Sequence, residues 1–115
     1  MLPKKHKATS AQVEALKKIP QKKTHHSPSF TLLVYKKRDQ KEVSTITFII
    51  SKKIATKAVL RNKLKRRGYS VAQELFFRIQ TGFTLVFYFK KESVHKTHKE
   101  FFLEIQKLLK EAHVL

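Results

Sequence analysis

Residues 51–67 carry the densest group of side chains that could do chemistry. Eight of these 17 residues are Lys or Arg, and none is acidic. The cations are Lys52, Lys53, Lys57, Arg61, Lys63, Lys65, Arg66 and Arg67. Arg binds phosphate through two parallel N–H donors, Lys adds a compact charge, and Asn62 can hydrogen-bond to a base edge or a ribose hydroxyl. The segment therefore predicts a surface that binds the phosphates of a nucleic acid.

The spacing of these side chains predicts how a helix would present them. Residues four apart lie on one helix face, so Lys65 lies beside Arg61 and Arg66 beside Asn62. Lys52 and Lys53 connect a strand to this helix, where free backbone N–H groups also attract anions. A solvated basic face or a localisation signal is the plainer interpretation. It is disfavoured because the same helix carries an apolar face that must dock on other elements.

No catalytic or metal site is predicted within the chain itself. A two-metal nuclease needs converging carboxylates, whereas the eight acidic residues are scattered and Glu100 and Glu104 are interpreted as structural. His25 and His26 give too few ligands for zinc, and there is no cysteine. The sequence has no Gly-rich phosphate loop and no Ser/His/Asp pattern.

Composition independently predicts a polyanionic partner. The 115 residues include 26 Lys and Arg against eight Asp and Glu, a formal charge of +18. Such a charge repels itself unless phosphates or anionic lipid offset it, which excludes an ordinary near-neutral metabolic domain. The 41% hydrophobic content excludes a disordered basic tail. The absence of cysteine and of any signal or membrane-spanning segment favours the cytoplasm.

Three helices are predicted, and the second contains most of the basic segment. A flexible basic arm (residues 1–8) precedes a first helix (9–19), and a loop follows (21–28). The second helix spans residues 56–80, where Gly68 predicts a bend or a weak point. The third begins at Thr97, where Thr97 and Glu100 have capping-box spacing.

Three strands are predicted from alternating or aromatic runs, at residues 29–37, 44–51 and 83–89. The first two are expected to form a hairpin through the loop 38–42. Ile46 and Phe48 are predicted to share one face of the second strand, with Thr47 and Ile49 on the other. A further short strand could lie in the loops. The chain is therefore expected to be a single α+β domain over residues 1–115, with helices packed on a small mixed sheet. Among the aromatic residues, Tyr35 and Tyr88 are the better candidates for stacking on bases.

The basic segment resembles that of the protein subunit of bacterial ribonuclease P. That family has a Ser-Lys-Lys strand end followed by an Ala-Val-x-Arg-Asn-x-x-Lys-Arg helix. Here the matching residues are Ser51-Lys52-Lys53 and Ala58-Val59-Leu60-Arg61-Asn62-Lys63-Leu64-Lys65-Arg66. Length, charge, element order and the C-terminal amphipathic helix also match the family.

The resemblance implies an RNA-binding subunit of a ribonucleoprotein endonuclease that removes the 5′ leader of precursor tRNA. Its catalytic centre would lie in ribonuclease P RNA, with Mg²⁺ held by that RNA and one protein copy per RNA. The implied RNA-binding residues are Lys52, Lys53, Lys57, Arg61, Asn62, Lys65, Arg66 and Arg67. The implied leader cleft consists of Val13, Leu16, Thr31, Leu33, Thr47 and Ile49. The family fold also implies a left-handed crossover between two parallel strands.

Three other functions stay open at this point. A structural RNA-binding protein of the ribosomal type would share the size and charge without any role in tRNA cleavage. A protein-only hydrolase is disfavoured by the scattered carboxylates, and a DNA-binding domain by the absence of a helix-turn-helix signature.

Overall fold

The computed structural model describes residues 23–115, so the predicted basic arm and first helix lie outside the described residues. The described elements are β1 (Lys23–His26), β2 (Phe30–Lys36), β3 (Thr45–Ile49), α1 (Ala58–Leu75), a 3-10 helix (Phe76–Arg78), β4 (Phe83–Phe89), a second 3-10 helix (Lys91–His95) and α2 (His98–Glu111). Helices pack on a small mixed sheet, which confirms the predicted α+β class.

The four strands lie in the order β1-β2-β4-β3. β4 pairs antiparallel with β2 and parallel with β3. The predicted hairpin between β2 and β3 is therefore wrong, because β4 lies between them. Leu85, Val86 and Phe87 are all buried, so β4 has apolar residues on both faces and suits a central position. The connection from β3 through α1 to β4 is the parallel crossover, whose left hand stays a prediction.

β1 corrects the predicted loop at residues 21–28. It pairs antiparallel with β2, with Thr24 opposite Leu33 and His26 opposite Thr31. Because β1 is a short edge strand and mostly exposed, it lacks the alternation of apolar residues that marks a half-buried strand. β1 is thus the additional short strand for which the sequence analysis left room in the loops.

The hydrophobic core lies between one face of the sheet and the two helices. Phe30 occupies its centre, with ring centroids 5.0 to 6.4 Å from those of Phe48, Phe87, Phe89 and Phe101. The other large side chains that are fully buried in this layer are those of Leu32, Ile46, Leu64, Val71, Leu75, Leu85, Ile105, Leu108 and Leu109. Ile46 and Phe48 both belong to this core, which confirms that they share one face of their strand.

α1 runs without a break through Gly68, and a bend or a weak point there stays a prediction. Gly68 is buried, and a Cβ atom there would lie 2.9 Å from ring atoms of Phe48. The glycine serves close packing of the helix on β3. The helix is also shorter than predicted, because residues 76–78 form a 3-10 turn after Leu75.

α2 is fixed at both its start and its middle. The Thr97 hydroxyl accepts a hydrogen bond from the Glu100 amide at 3.2 Å, and the Glu100 carboxylate accepts one from the Thr97 amide at 3.2 Å, which confirms the capping box. Further along, Oε1 of Glu104 accepts hydrogen bonds from the Ser27 hydroxyl and the Ser29 amide, both at 2.8 Å. Oε2 accepts from the Ser29 hydroxyl at 2.7 Å. Glu104 therefore ties α2 to the turn between β1 and β2.

Candidate nucleic-acid interface

The turn before α1 presents Lys52 and Lys53 to solvent. It is closed by hydrogen bonds to the Ser51 carbonyl from the amides of Ile54 (3.1 Å) and Ala55 (3.3 Å). Both lysines are exposed, as is Lys57 at the N-cap of α1. No acidic residue lies in the first helical turn and no side chain caps it. This helix start therefore combines uncapped N–H groups with three cations, an arrangement that favours a bound anion.

Arg61 holds this turn against the helix. Its Nη1 atom donates hydrogen bonds to the carbonyls of Ala55 at 2.9 Å and Thr56 at 2.8 Å. The side chain is half-buried, and it therefore fixes the path of the backbone between Lys53 and Lys57. Phosphate binding by its remaining N–H groups stays a prediction.

The outer face of α1 carries Asn62, Lys63 and Arg66, all exposed. Within residues 23–115 none of these three has an ion-pair partner, since the ion pairs there join Lys37 to Glu42, Lys96 to Glu100 and His98 to Glu74. Lys65 lies half-buried on the flank of this face. Lys63 belongs to the predicted basic segment but not to the RNA-binding residues that the family resemblance implies, although its spacing from Asn62 and Arg66 places it on their face.

Arg67 differs from its neighbours because it joins the two helices. Its Nη1 donates to the carbonyl of Lys96, and its guanidinium lies 5.5 Å from the centroid of the Phe101 ring. The predicted RNA-binding residues thus separate into exposed cations and arginines that also support the fold.

The sheet face that points away from the helices brings together four of the six predicted leader-cleft residues. Leu33 and Thr47 lie in one row across the sheet, with Val86 of β4 between them. Thr31 and Ile49 lie in the next row, with Tyr88 between them. Sequence reasoning missed Val86, because the placement of β4 between β2 and β3 was not predicted. Val13 and Leu16 lie outside the described residues.

The two candidate tyrosines have different surroundings on this face. Tyr88 is half-buried, whereas Tyr35 is only 2% exposed. Burial removes Tyr35 from the stacking candidates, because its ring is not accessible. Stacking by Tyr88 stays a prediction.

Glu100 serves local structure at the start of α2. Hydrogen bonds from the Thr97 backbone and hydroxyl, with the charge of Lys96 adding to them, lower the pKa of the Glu100 carboxyl below its ordinary value. Residues 23–115 contain no group of three His, Asp or Glu side chains that could hold a metal ion. No helix in this part of the chain is long and apolar enough to cross a membrane.

The fold and the exposed cations define a small α+β protein built around a basic helix, and comparison with known proteins shows its family. The family model described as Ribonuclease P matches residues 9–113. The chain therefore belongs to the ribonuclease P protein family, as the motif at residues 51–66 predicted.

Two curated relatives are each named ribonuclease P protein component. The chain is 31% identical over 77 residues to the one from Cyanothece sp., a match covering 67% of this chain and 59% of that relative's length. It is 30% identical over 95 residues to the one from Microcystis aeruginosa, covering 81% of this chain and 79% of the relative.

Solved structures of ribonuclease P proteins share the fold. A Staphylococcus aureus mutant with defective mRNA degradation activity matches with a TM-score of 0.79 at 18% identity, covering 94% of this chain and 87% of that one. The protein from Thermotoga maritima matches with a TM-score of 0.69 at 21% identity, covering 92% and 93% of the two chains.

Proposed function

We propose that this chain is the protein subunit of a ribonuclease P ribonucleoprotein. In this proposal the basic helix and turn bind the catalytic RNA. The sheet face binds the 5′ leader of precursor tRNA, and the complex removes the leader by Mg²⁺-dependent endonucleolytic cleavage. The observation that carries the proposal is the outer face of α1, where Asn62, Lys63 and Arg66 are exposed beside Lys52, Lys53 and Lys57.

The arrangement supports a protein that binds and orients RNA. The exposed cations neutralise phosphates that would otherwise repel one another as two RNA molecules approach. Mg²⁺ bound by the RNA supplies the chemistry of phosphodiester hydrolysis, and one copy of the protein acts per RNA in the cytoplasm. Because the cations of the protein reduce the repulsion between phosphates, the complex should need less Mg²⁺ for cleavage than the RNA alone.

The decisive experiment is cleavage of precursor tRNA at low Mg²⁺ by a bacterial ribonuclease P RNA, with and without this protein. We expect cleavage at the mature 5′ end only when RNA and protein are both present. The double variant K63A/R66A should lose this stimulation. The double variant K107A/K110A removes the same charge from exposed positions of α2 and is the matched control.

The other outcomes separate the alternatives. Tight RNA binding with no gain in cleavage, tested on several bacterial ribonuclease P RNAs, would favour a structural RNA-binding protein of the ribosomal type. Cleavage by the protein alone would contradict the placement of the chemistry in RNA.

A further inference from the structure

Phe77 is the most exposed of the large hydrophobic residues in the described chain, at 94%. It lies in the 3-10 turn that follows α1, between Phe76 and Arg78. Phe76 and Ile79 pack against the core on either side of it, so the turn is anchored without the Phe77 ring. Folding of residues 23–115 therefore does not explain a phenylalanine at this position.

Phe77 continues the exposed face of α1. This face contains Val59, Asn62, Lys63, Arg66, Ser70, Gln73 and Phe77, with Glu74 at its edge, all of them exposed. Eighteen positions separate Val59 from Phe77, which corresponds to five helical turns and a length of about 27 Å. The ring thus lies on the same side of the helix as Arg66 and about 16 Å further along the axis.

The charge along this face favours RNA as its partner. The exposed cations Lys63 and Arg66 precede Phe77, and exposed Arg78 follows it. Glu74 is the one carboxylate of α1, and its Oε2 lies 3.4 Å from Nε2 of His98 on α2. A protein partner with an apolar pocket for Phe77 would also need acidic groups along the same line, whereas RNA supplies phosphates all along it.

The two ends of α1 suit different parts of a nucleotide. Free N–H groups and lysines at the start favour phosphate, whereas the carbonyl groups at the end carry partial negative charge, so a phosphate there depends on Arg78. An exposed aromatic ring at that end suits a nucleobase, since every base offers a flat face for stacking. Bases inside an RNA duplex are not accessible for this, but bases of loops and bulges are.

We propose that Phe77 stacks on an unpaired base of the RNA that binds the outer face of α1, while Arg78 contacts a neighbouring phosphate. This inference rests on the proposed function and extends it, because it adds a base contact beyond the basic motif. With this contact, the affinity of the protein would depend on where its RNA has a loop or a bulge. Cations alone bind phosphates and would not distinguish such positions.

The test uses the full-length chain, which contains no tryptophan. In the variant F77W the introduced indole is the sole tryptophan, and its fluorescence should be quenched when a bacterial ribonuclease P RNA is added, because a stacked base contacts the indole. Leu103 is exposed on α2 beside the exposed Lys99 and Lys107, so L103W controls for non-specific contact of RNA with another basic surface and should change little. F77A should weaken RNA binding about five- to a hundredfold.

A second readout separates stacking from electrostatics. F77A removes no charge, so its affinity should fall while the slope of log affinity against log salt stays unchanged. F77A binding as tightly as the wild type, or quenching of F77W no greater than that of L103W, would overturn the proposal. A blue shift of F77W emission with rising protein concentration in the absence of RNA would also overturn it, by showing that the ring is a contact between protein copies.

Failure of this inference and failure of the proposed function give different results. If K63A/R66A loses RNA affinity and F77A does not, only the Phe77 contact is wrong. If F77A loses affinity and K63A/R66A does not, the contact stands and the basic anchor is wrong. Failure of the wild-type chain to bind any ribonuclease P RNA would overturn both.

Discussion

Gly68 of α1 lies directly against the ring of Phe48 in β3. A Cβ atom on the glycine would come within 2.9 Å of Cδ1 and Cε1 of that ring. The ring cannot move aside easily, because it stacks on Phe87 with a centroid distance of 4.9 Å and meets the edge of Tyr69 at the same distance. The contact fixes the distance between the basic helix and the sheet.

The first prediction follows from this contact. G68A should lower the free energy of unfolding by about 1–2 kcal/mol, because overpacking outweighs the gain of about 1 kcal/mol in helix propensity. S70A at an exposed position of the same helix is the control and should stabilise slightly. Urea unfolding of the two variants measures the difference. Equal stabilisation by both would show that the Phe48 ring adapts, and the loss in the double variant F48L/G68A should be smaller than the sum of the two single losses.

Glu104 gives a second prediction. E104A should lower the free energy of unfolding by about 2–3 kcal/mol, because the buried Ser29 amide and hydroxyl lose a charged acceptor. E104Q should cost about 1 kcal/mol, since its amide oxygen still accepts from Ser27 and Ser29. Denaturant unfolding compares these variants with E111A, an exposed residue of the same helix that should change stability by less than about 0.5 kcal/mol. A loss in E104A no larger than in E111A would contradict the role of this carboxylate.

The third prediction concerns pH. Folding lowers the pKa of Glu100 below its ordinary value of 4.5, so the carboxylate stabilises the folded state above that pH and loses this effect as pH falls through its folded pKa. The melting temperature of the wild type should therefore exceed that of E100Q at neutral pH, and the gap should narrow as pH falls below 4.5. Thermal unfolding from pH 7 to pH 3 measures the difference. A gap that is the same at pH 7 and at pH 3 would show that the charge of Glu100 is not what stabilises the cap.

The fourth prediction is the salt dependence of RNA binding. If about eight phosphates are neutralised, log affinity against log salt should have a slope of roughly −6 to −7. K63A and R66A should each weaken binding and make the slope less steep by about one. Filter binding from low to moderate salt measures both quantities. A triple variant that also removes Lys52, with an unchanged slope, would contradict this surface as the main anchor.

The fifth prediction separates the two binding surfaces. L33A should weaken binding of precursor tRNA with a long leader about fivefold, through loss of apolar contact, and leave binding of the catalytic RNA unchanged. Mature tRNA without a leader is the control ligand, and L103A on α2 is the control variant. Equal loss for both RNAs would place the leader elsewhere.

The elements that were predicted correctly have strong local patterns. β4 was located at its observed bounds because residues 83–89 form an aromatic and apolar run after Gly82. α2 was located by the capping box at Thr97 and by an apolar stripe that includes Phe101 and Ile105. In both cases the information lies within a few residues, so the sequence alone is sufficient.

The features that were missed depend on distant parts of the chain. β1 has no apolar face of its own, and its pairing with β2 defines it as a strand. β2 and β3 do not form a hairpin because β4, which comes later in the sequence, pairs with both of them. The role of Gly68 depends on Phe48, twenty residues earlier. Exposure of Phe77 likewise depends on the 3-10 turn that ends α1 and on Phe76 and Ile79 packing inward.

The central position of β4 constrains how the chain folds during synthesis. β2 and β3 do not pair with each other, so the first half of the chain cannot complete its sheet until residues 83–89 have left the ribosome. The contacts that complete the sheet therefore close long loops, a topology associated with slower folding than that of a hairpin-rich sheet. Until then, two apolar strands and a strongly basic segment are exposed together, and an RNA that binds the basic segment early would shield its charge while the sheet is still incomplete.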